Sequence, residues 1–188
     1  MIHSDPISIY FHWPFCESKC PYCDFNSHVR KTIEQQDWLL GYNRNIQKWF
    51  AKFNKPIIET IYFGGGTPSL IDPSIISHLI DNIYKHHSIS ENIEISLEAN
   101  PSSYEKDKFY DLKSIGINRL SIGVQSLNDK NLKFLGRLHN SMNAKVAVEH
   151  AAKTFNNVSV DLIYDPVSYT HLRAHETVLD LVCRLLLE

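Results

Sequence analysis

Residues 15–25 read FCESKCPYCDF and set Cys16, Cys20 and Cys23 on a C-x3-C-x2-C spacing. The stretch follows directly on ISIYFHW, residues 7–13, where Ile9, Phe11 and Trp13 alternate with Ser8, Tyr10 and His12. A period of two marks a β-strand with one apolar and one polar face. The three cysteines are thus predicted to lie on the loop that leaves a strand. Outward from this point the chain repeats a short strand followed by a longer helix. Strand-like runs fall at residues 58–63, 93–98, 119–125 and 158–164.

Helix signals fill the gaps. TIEQ at 32–35 reads as a capping box, and Trp38, Tyr42, Ile46, Trp49, Phe50 and Phe53 recur at helical spacing after it. Asp72 followed by Pro73 reads as an N-cap with proline at the first helical position, and Ile75, Ile76, Leu79, Ile80 and Ile83 make one apolar stripe. SSYE at 102–105 is a second capping box whose helix should end at Gly116. Ser141 is placed to cap a helix through Ala144, Val148, Ala151 and Ala152. Strand alternating with helix implies an α/β fold with a parallel sheet. No internal repeat and no low-complexity linker interrupts the pattern.

The strands carry a further clue. Ile93, Ile95 and Leu97 oppose Glu94, Ser96 and Glu98; Leu120, Ile122 and Val124 oppose Arg119, Ser121, Gly123 and Gln125; Val158, Val160 and Leu162 oppose Ser159 and Asp161. An open sheet covered by helices on both faces needs strands that are apolar throughout. One apolar and one polar face fit a sheet curled into a barrel, with helices outside and polar side chains inside. The expected fold is therefore a partial (β/α) barrel of about five βα units. Tyr10, Glu98, Gln125 and Asp161 should face its interior, the last three at or near strand C-terminal ends, where such barrels place their chemistry.

Composition excludes several classes. The 188 residues are 43% hydrophobic and 21% charged, with a formal net charge of −2, which gives no electrostatic footprint for nucleic acid or an anionic membrane. No apolar run approaches the roughly 20 residues a membrane span needs. Residues 1–14 lack the apolar core of a signal peptide, so a cytoplasmic protein is expected. Four cysteines without an export signal point to metal or redox chemistry rather than a disulfide framework.

Three thiolates in eight positions are one short of a closed zinc site, and Cys183 is too remote in sequence to be a natural fourth. A zinc-stabilised structural domain is one reading, and plain burial of the cysteines is another. The reading favoured here is a [4Fe–4S] cluster held at three corners, which leaves one iron open to a small molecule.

This spacing, with the aromatic Tyr22 before its last cysteine, resembles the radical S-adenosylmethionine (SAM) superfamily. The segments YFHWPFCESKCPYCDFNSH, YFGGGTPS, EANP, INRLSIGVQS, LGRLHN and VDLIY resemble, in order and spacing, the oxygen-independent coproporphyrinogen III oxidase family over residues 7–164. The resemblance implies that the open iron chelates SAM, whose reductive cleavage yields a 5′-deoxyadenosyl radical. It implies cluster ligands at Cys16, Cys20 and Cys23. It also implies SAM contacts at Tyr10, Tyr22, Gly64, Gly65, Gly66, Glu98, Gln125, Arg137 and Asp161. On spacing alone the three glycines are a turn with exposed amides, not a phosphate loop, because the lysine of that motif is missing. Arg137 alone would pass for a solvated helical residue.

Two departures bear on the branch. Dehydrogenases of this family typically carry a further cysteine two residues after the third, where this chain has Phe25, and a longer segment before the cluster. Both departures resemble the HemW-type haem-chaperone branch. That branch implies haem as cargo and haem-accepting proteins as partners; the alternative is coproporphyrinogen III dehydrogenation in haem biosynthesis. His12, His28 and His139 lie near the expected mouth as candidate haem-facing residues, and nothing in the sequence identifies an electron donor. After Tyr164 the family pattern breaks. DPVSYTHLRAHETVLDLVCRLLLE resembles translated adapter sequence, so residues 1–164 are expected to be the radical SAM core and 165–188 a foreign tail. Residues 177–187 read as an amphipathic helix.

Overall fold

The computed structural model describes residues 6–53, 56–101 and 108–164, and the backbone of 182–187. Strand β1 spans Ile7–Trp13 and leads into a two-residue strand β2, Phe15–Cys16. Then come β3, His28–Val29, and helix α1, Gln35–Phe50. Strand β4, Ile57–Gly65, and helix α2, Pro73–His86, precede β5, Ser88–Ala99. Helix α3, Phe109–Ser114, and strand β6, Arg119–Gln125, follow. Helices α4, Asp129–Phe134, and α5, Ser141–Thr154, lead to β7, Asn157–Ile163, and β8 is Val182–Leu187.

The main sheet runs β1-β4-β5-β6-β7-β8. The first five strands pair in parallel and in chain order. Each crossover therefore steps the same way. A doubly wound sheet reverses its order and puts helices on both faces; an unreversed order keeps the helices on one side, as in a (β/α) barrel. The expected partial barrel is what forms. The apolar strand face carries Ile61, Phe63, Ile95, Leu97, Leu120 and Ile122. They pack with Ile76, Leu79 and Ile83 of α2 in one fully buried core. Cutting one such side chain to alanine costs about 2–5 kcal/mol.

The other face is polar, as the alternation requires. Arg119 donates to Ser96 Oγ at 3.3 Å and Ser159 Oγ at 3.2 Å, and lies 3.8 Å from Glu94. Ser159 in turn donates to Ser121 Oγ at 3.1 Å, and Ser121 to Asp161 Oδ2 at 3.2 Å. Ser96, Ser121 and Ser159 are all buried. A ladder of hydroxyls thus satisfies a part-buried guanidinium without apolar filling.

Several local expectations are corrected. Helix α1 starts at Gln35, with Glu34 as N-cap and no side-chain cap bond. Gln35 ties the start of α2 instead: its amide donates to Leu70 O at 3.3 Å and accepts from Asp72 N at 2.8 Å. Asp72 does cap α2, accepting from Ser74 N at 2.8 Å. Asn140, not Ser141, caps α5 in a reciprocal box with Asn143. The box at 102–105 lies outside the described residues. Gly116 ends α3 as expected, at φ +105. Within 177–187, expected to be helical, Val182–Leu187 is a strand antiparallel to β7. The open edge of β7 offers a row of backbone partners that a short isolated helix does not.

Candidate metal and cofactor site

The cysteine loop is closed by its own small ladder, with Phe15 opposite His28 and Cys16 opposite Val29. Three successive carbonyls near its end are held: Lys19 Nζ donates to Phe25 O at 3.4 Å and to Ser27 O at 3.3 Å, and His12 Nε2 to Asn26 O at 3.0 Å. Cys23 N donates to Cys20 O at 3.0 Å, making a tight turn between the last two cysteines. All three thiols are free and half-buried. Burial pushes the Cys16 thiol up, the neighbouring Cys23 and Cys20 add to the rise, and the hydroxyls of Thr67 and Ser27 oppose it. The cysteines are therefore electrostatic neighbours. Among the described residues, no three His, Cys, Asp or Glu side chains meet closely enough to hold one metal ion.

The glycines at the end of β4 are engaged by the protein itself. Gly66 N donates to Trp13 O at 2.6 Å, and Gly65 N donates to Glu98 Oε2 at 3.1 Å. A Cβ at Gly64 would lie 2.7 Å from the Tyr62 ring and 2.9 Å from Tyr10. At Gly65, φ +116, it would meet His12 at 2.6 Å, and at Gly66 it would meet Phe15 O at 2.6 Å. The absence of side chains here lets two strand ends and the cysteine loop approach one another, beyond any room it leaves for a ligand.

Glu98 is the anchor on β5. It accepts from Tyr62 Oη at 2.8 Å as well as from Gly65 N. Tyr10 stacks on Tyr62 with centroids 5.8 Å apart. Burial, then the Glu98 charge, raises the Tyr10 pKa. The sequence placed Glu98 and Tyr10 on one interior face; it did not single out Tyr62, whose alternation with Phe63 was the available signal.

Arg137 is placed by the end of α4. Gly136 N donates to Lys133 O at 3.1 Å and Arg137 N to Leu132 O at 2.9 Å, with Gly136 at φ +67. This is a Schellman turn, and it sends Arg137 inward. Its guanidinium donates to Gly123 O at 2.8 Å, to Cys20 Sγ at 3.4 Å and to Asn100 Oδ1. Burial works against the guanidinium charge, but Tyr22 and Cys20 more than offset it, so the group stays a cation. Burial raises the Tyr22 phenol, with Arg137 opposing. Asn100 donates on to Thr67 Oγ1 at 3.1 Å. Neither Asn100 nor Thr67 was singled out from sequence, although both follow strand ends.

Gln125 ends β6 in the left-handed region, φ +66, after a register shift between Gly123 and Gln125. Its amide lies over Gly123, 2.9 Å from where a Cβ would be. A strained non-glycine residue at a strand end is a frequent mark of a functional site. Asp161 sits atop the hydroxyl ladder. Of the three histidines, His12 is committed to Asn26 O and the buried His139 to Val124 O at 3.1 Å. Burial, then Arg137, pulls the His139 pKa down to about 4. His28 is exposed on β3. Phe25 is exposed too.

Three free thiols on a βα loop, an interior carboxylate and an inward arginine, all over the C-terminal ends of parallel strands, define the class. The chain belongs to the radical SAM superfamily, whose sequence model matches residues 10–171. It is 44% identical over 160 residues to the haem chaperone HemW of Haemophilus influenzae, covering 80% of this chain and 42% of that protein. It is 39% identical to the haem chaperone HemW of Escherichia coli, covering 81% and 40%. The solved coproporphyrinogen III oxidase HemN of Escherichia coli, a radical SAM enzyme, superposes with TM-score 0.78 at 27% identity, over 92% of this chain and 42% of that one. The chain thus spans about two fifths of the length of the relatives it matches. Membership implies a [4Fe–4S] cluster and SAM. The donor set fits both: soft thiolates suit iron–sulfur centres, and an interior carboxylate at Glu98 together with an inward guanidinium at Arg137 suits the two charged ends of an amino acid. Such a cluster supplies one electron to bound SAM.

Proposed function

We propose that this chain is the cluster- and SAM-binding part of a haem-trafficking protein of the HemW type, acting in the cytoplasm and passing haem to haem-accepting proteins. Cys16, Cys20 and Cys23 hold the cluster. Gly64–Gly66, Glu98 and Arg137 receive the amino-acid end of SAM, and Tyr10, Tyr22, Gln125 and Asp161 complete its surroundings. Residues 1–164 are the functional core, and 165–188 are extraneous to it.

The observation that carries the reading is the match to haem chaperones, at 44% and 39% identity against 27% for the solved oxidase. Phe25 supports it: an exposed aromatic stands where the dehydrogenase pattern has another thiol. The second reading, coproporphyrinogen III oxidation, draws on the fold likeness at TM-score 0.78. The full-length protein, reconstituted anaerobically with iron and sulfide, decides between them. Haem titration should shift the Soret band, while SAM, a reductant and coproporphyrinogen III should give no protoporphyrinogen. Robust turnover would overturn the chaperone reading. A colourless protein holding one zinc would overturn both.

A further inference from the structure

Gly136 lies directly beneath the ring of Pro21, the residue that follows Cys20. A Cβ built on Gly136 would stand 2.8 Å from Pro21 Cδ and 3.4 Å from Pro21 Cγ. One residue on, Arg137 Nη1 donates to Cys20 Sγ at 3.4 Å. Two successive residues of one helix-ending turn thus bear on two successive residues of the cysteine loop.

Gly116 supplies an internal comparison. It ends α3 in the same motif, with Gly116 N donating to Lys113 O at 3.1 Å and Ile117 N to Leu112 O at 3.2 Å. Its φ is +105, yet the nearest atom to a Cβ there is Ile95 Cδ1 at 4.0 Å. Left-handed backbone alone accounts for glycine at 116. At 136 a second demand is added, because a side chain would displace Pro21.

We propose that Gly136 is the seat of the cysteine loop. Its bare α-carbon lets Pro21 settle on the α4 turn, which fixes Cys20 against Arg137 and governs how firmly the loop retains a cluster. Gly136 is a positioning residue. The proposal rests on the cluster reading above and is independent of haem.

The test is a cycle of variants in the full-length protein: Gly136→Ala, Pro21→Ala, both together, and Gly116→Ala as control. Each is reconstituted anaerobically. Bound iron and sulfide are counted, and the rate of bleaching by an iron chelator is followed alongside the thermal midpoint of the apo-protein. Disturbing a support of a metal ligand typically costs 10–100-fold in metal affinity, so Gly136→Ala should bleach about tenfold faster or more. Gly116→Ala should lower the thermal midpoint and leave bleaching unchanged. The double variant should return to the Pro21→Ala rate, since the atoms that a Cβ would strike are gone. Equal acceleration in Gly116→Ala, no acceleration in Gly136→Ala, or no rescue in the double variant overturns the proposal. If Gly136→Ala does not fold, the double variant decides: a folded, cluster-retaining chain supports the seat, and its failure rejects it. A wild-type chain that takes up no cluster overturns the cluster reading and this one together, whereas a failed haem titration alone overturns only the chaperone reading.

Discussion

Glu98→Gln swaps one carboxylate oxygen for an amide and removes one charge where β4 meets β5. In the wild type the carboxylate accepts from Tyr62 Oη at 2.8 Å and from Gly65 N at 3.1 Å. Glutamine retains the shape. It can accept from Gly65 and donate to Tyr62, but neither bond is then assisted by charge. Bonds to charged groups contribute about 1.5–3 kcal/mol and neutral ones about 0.5–1.5. Two such downgrades, less the relief of desolvating a neutral group, leave an expected loss of about 1–2 kcal/mol, read from the urea midpoint. A second readout needs no cofactor. Tyr10 is raised from 10.0 first by burial and then by the Glu98 charge. Removing that charge should bring its titration down towards 10.0, and burial should hold it above that value. Tyrosinate absorbance, with Tyr10→Phe to mark the transition, measures the shift. The linkage has a definite sign. A raised folded pKa means the native state keeps the proton longer, so wild-type stability declines as pH rises past 10.0, and the variant declines less. With SAM, the proposed loss of an ammonium partner should weaken binding at least tenfold, about 1.4 kcal/mol. A Tyr10 transition that stays put or rises in the variant would refute the geometry from which all of this follows.

Gly66→Ala should cost about 1–3 kcal/mol, because its Cβ would meet Phe15 O at 2.6 Å, a backbone atom that cannot rotate away. Gly41→Ala, inside α1 with nothing within 4 Å, should instead stabilise by up to about 1 kcal/mol; urea midpoints check both. His139 is held near 4 against 6.5 unfolded, so the unfolded chain binds the proton first. Stability is present above 6.5 and is lost as pH falls towards 4, by up to about 3 kcal/mol. His139→Gln, which can still donate to Val124 O, should lack that component when apo-chain stabilities are compared across the window. Ending the chain after Tyr164 removes no proposed ligand and should leave iron and sulfide uptake per chain unchanged.

Strand positions were legible because the polar face of each strand faces something polar. Alternation marked Glu98, Ser121 and Asp161 as interior, and they form or border the buried hydroxyl network. Strands 7–13 and 119–125 were placed to the residue. The start of β5 was missed because Glu91 and Asn92 fall in an irregular stretch: pairing jumps from Ile58↔Ile89 to Thr60↔Glu94. The α1 cap was misjudged because the Gln35 amide is engaged by Leu70 O and Asp72 N at the start of α2 rather than by its own helix start. Arg137 looked like a surface residue because nothing in LGRLHN tells which way the chain turns after Gly136. That direction is set by the Schellman turn and by contact with a loop more than a hundred positions earlier in the chain. Short helix α4 escaped for a related reason: six residues hold too few turns to show a period.

The unreversed strand order has a consequence for how the site is held. Each strand's C-terminal end neighbours the end of the strand before it, so bonds pass from one βα unit to the next. Gly66 N reaches back to Trp13 O at the end of β1. Gly65 N and Tyr62 reach forward to Glu98 on β5. Asn100, just past β5, reaches back to Thr67 after β4. Arg137, after α4, holds Asn100 and Gly123 O on β6. The same guanidinium then returns to Cys20 on the first loop. The chain of bonds closes on itself within the protein. A loop carrying three free thiols would otherwise lose conformational entropy on taking up a cluster, of order 1–2 kcal/mol for each backbone residue newly fixed. Here much of that ordering is supplied by the protein's own contacts, which is the form preorganisation takes at a metal centre. Breaking the circuit at Asn100, one hydrogen-bonded step from Cys20 through Arg137, should therefore loosen the loop: Asn100→Ala should bleach faster than the wild type when an iron chelator is added to the reconstituted protein.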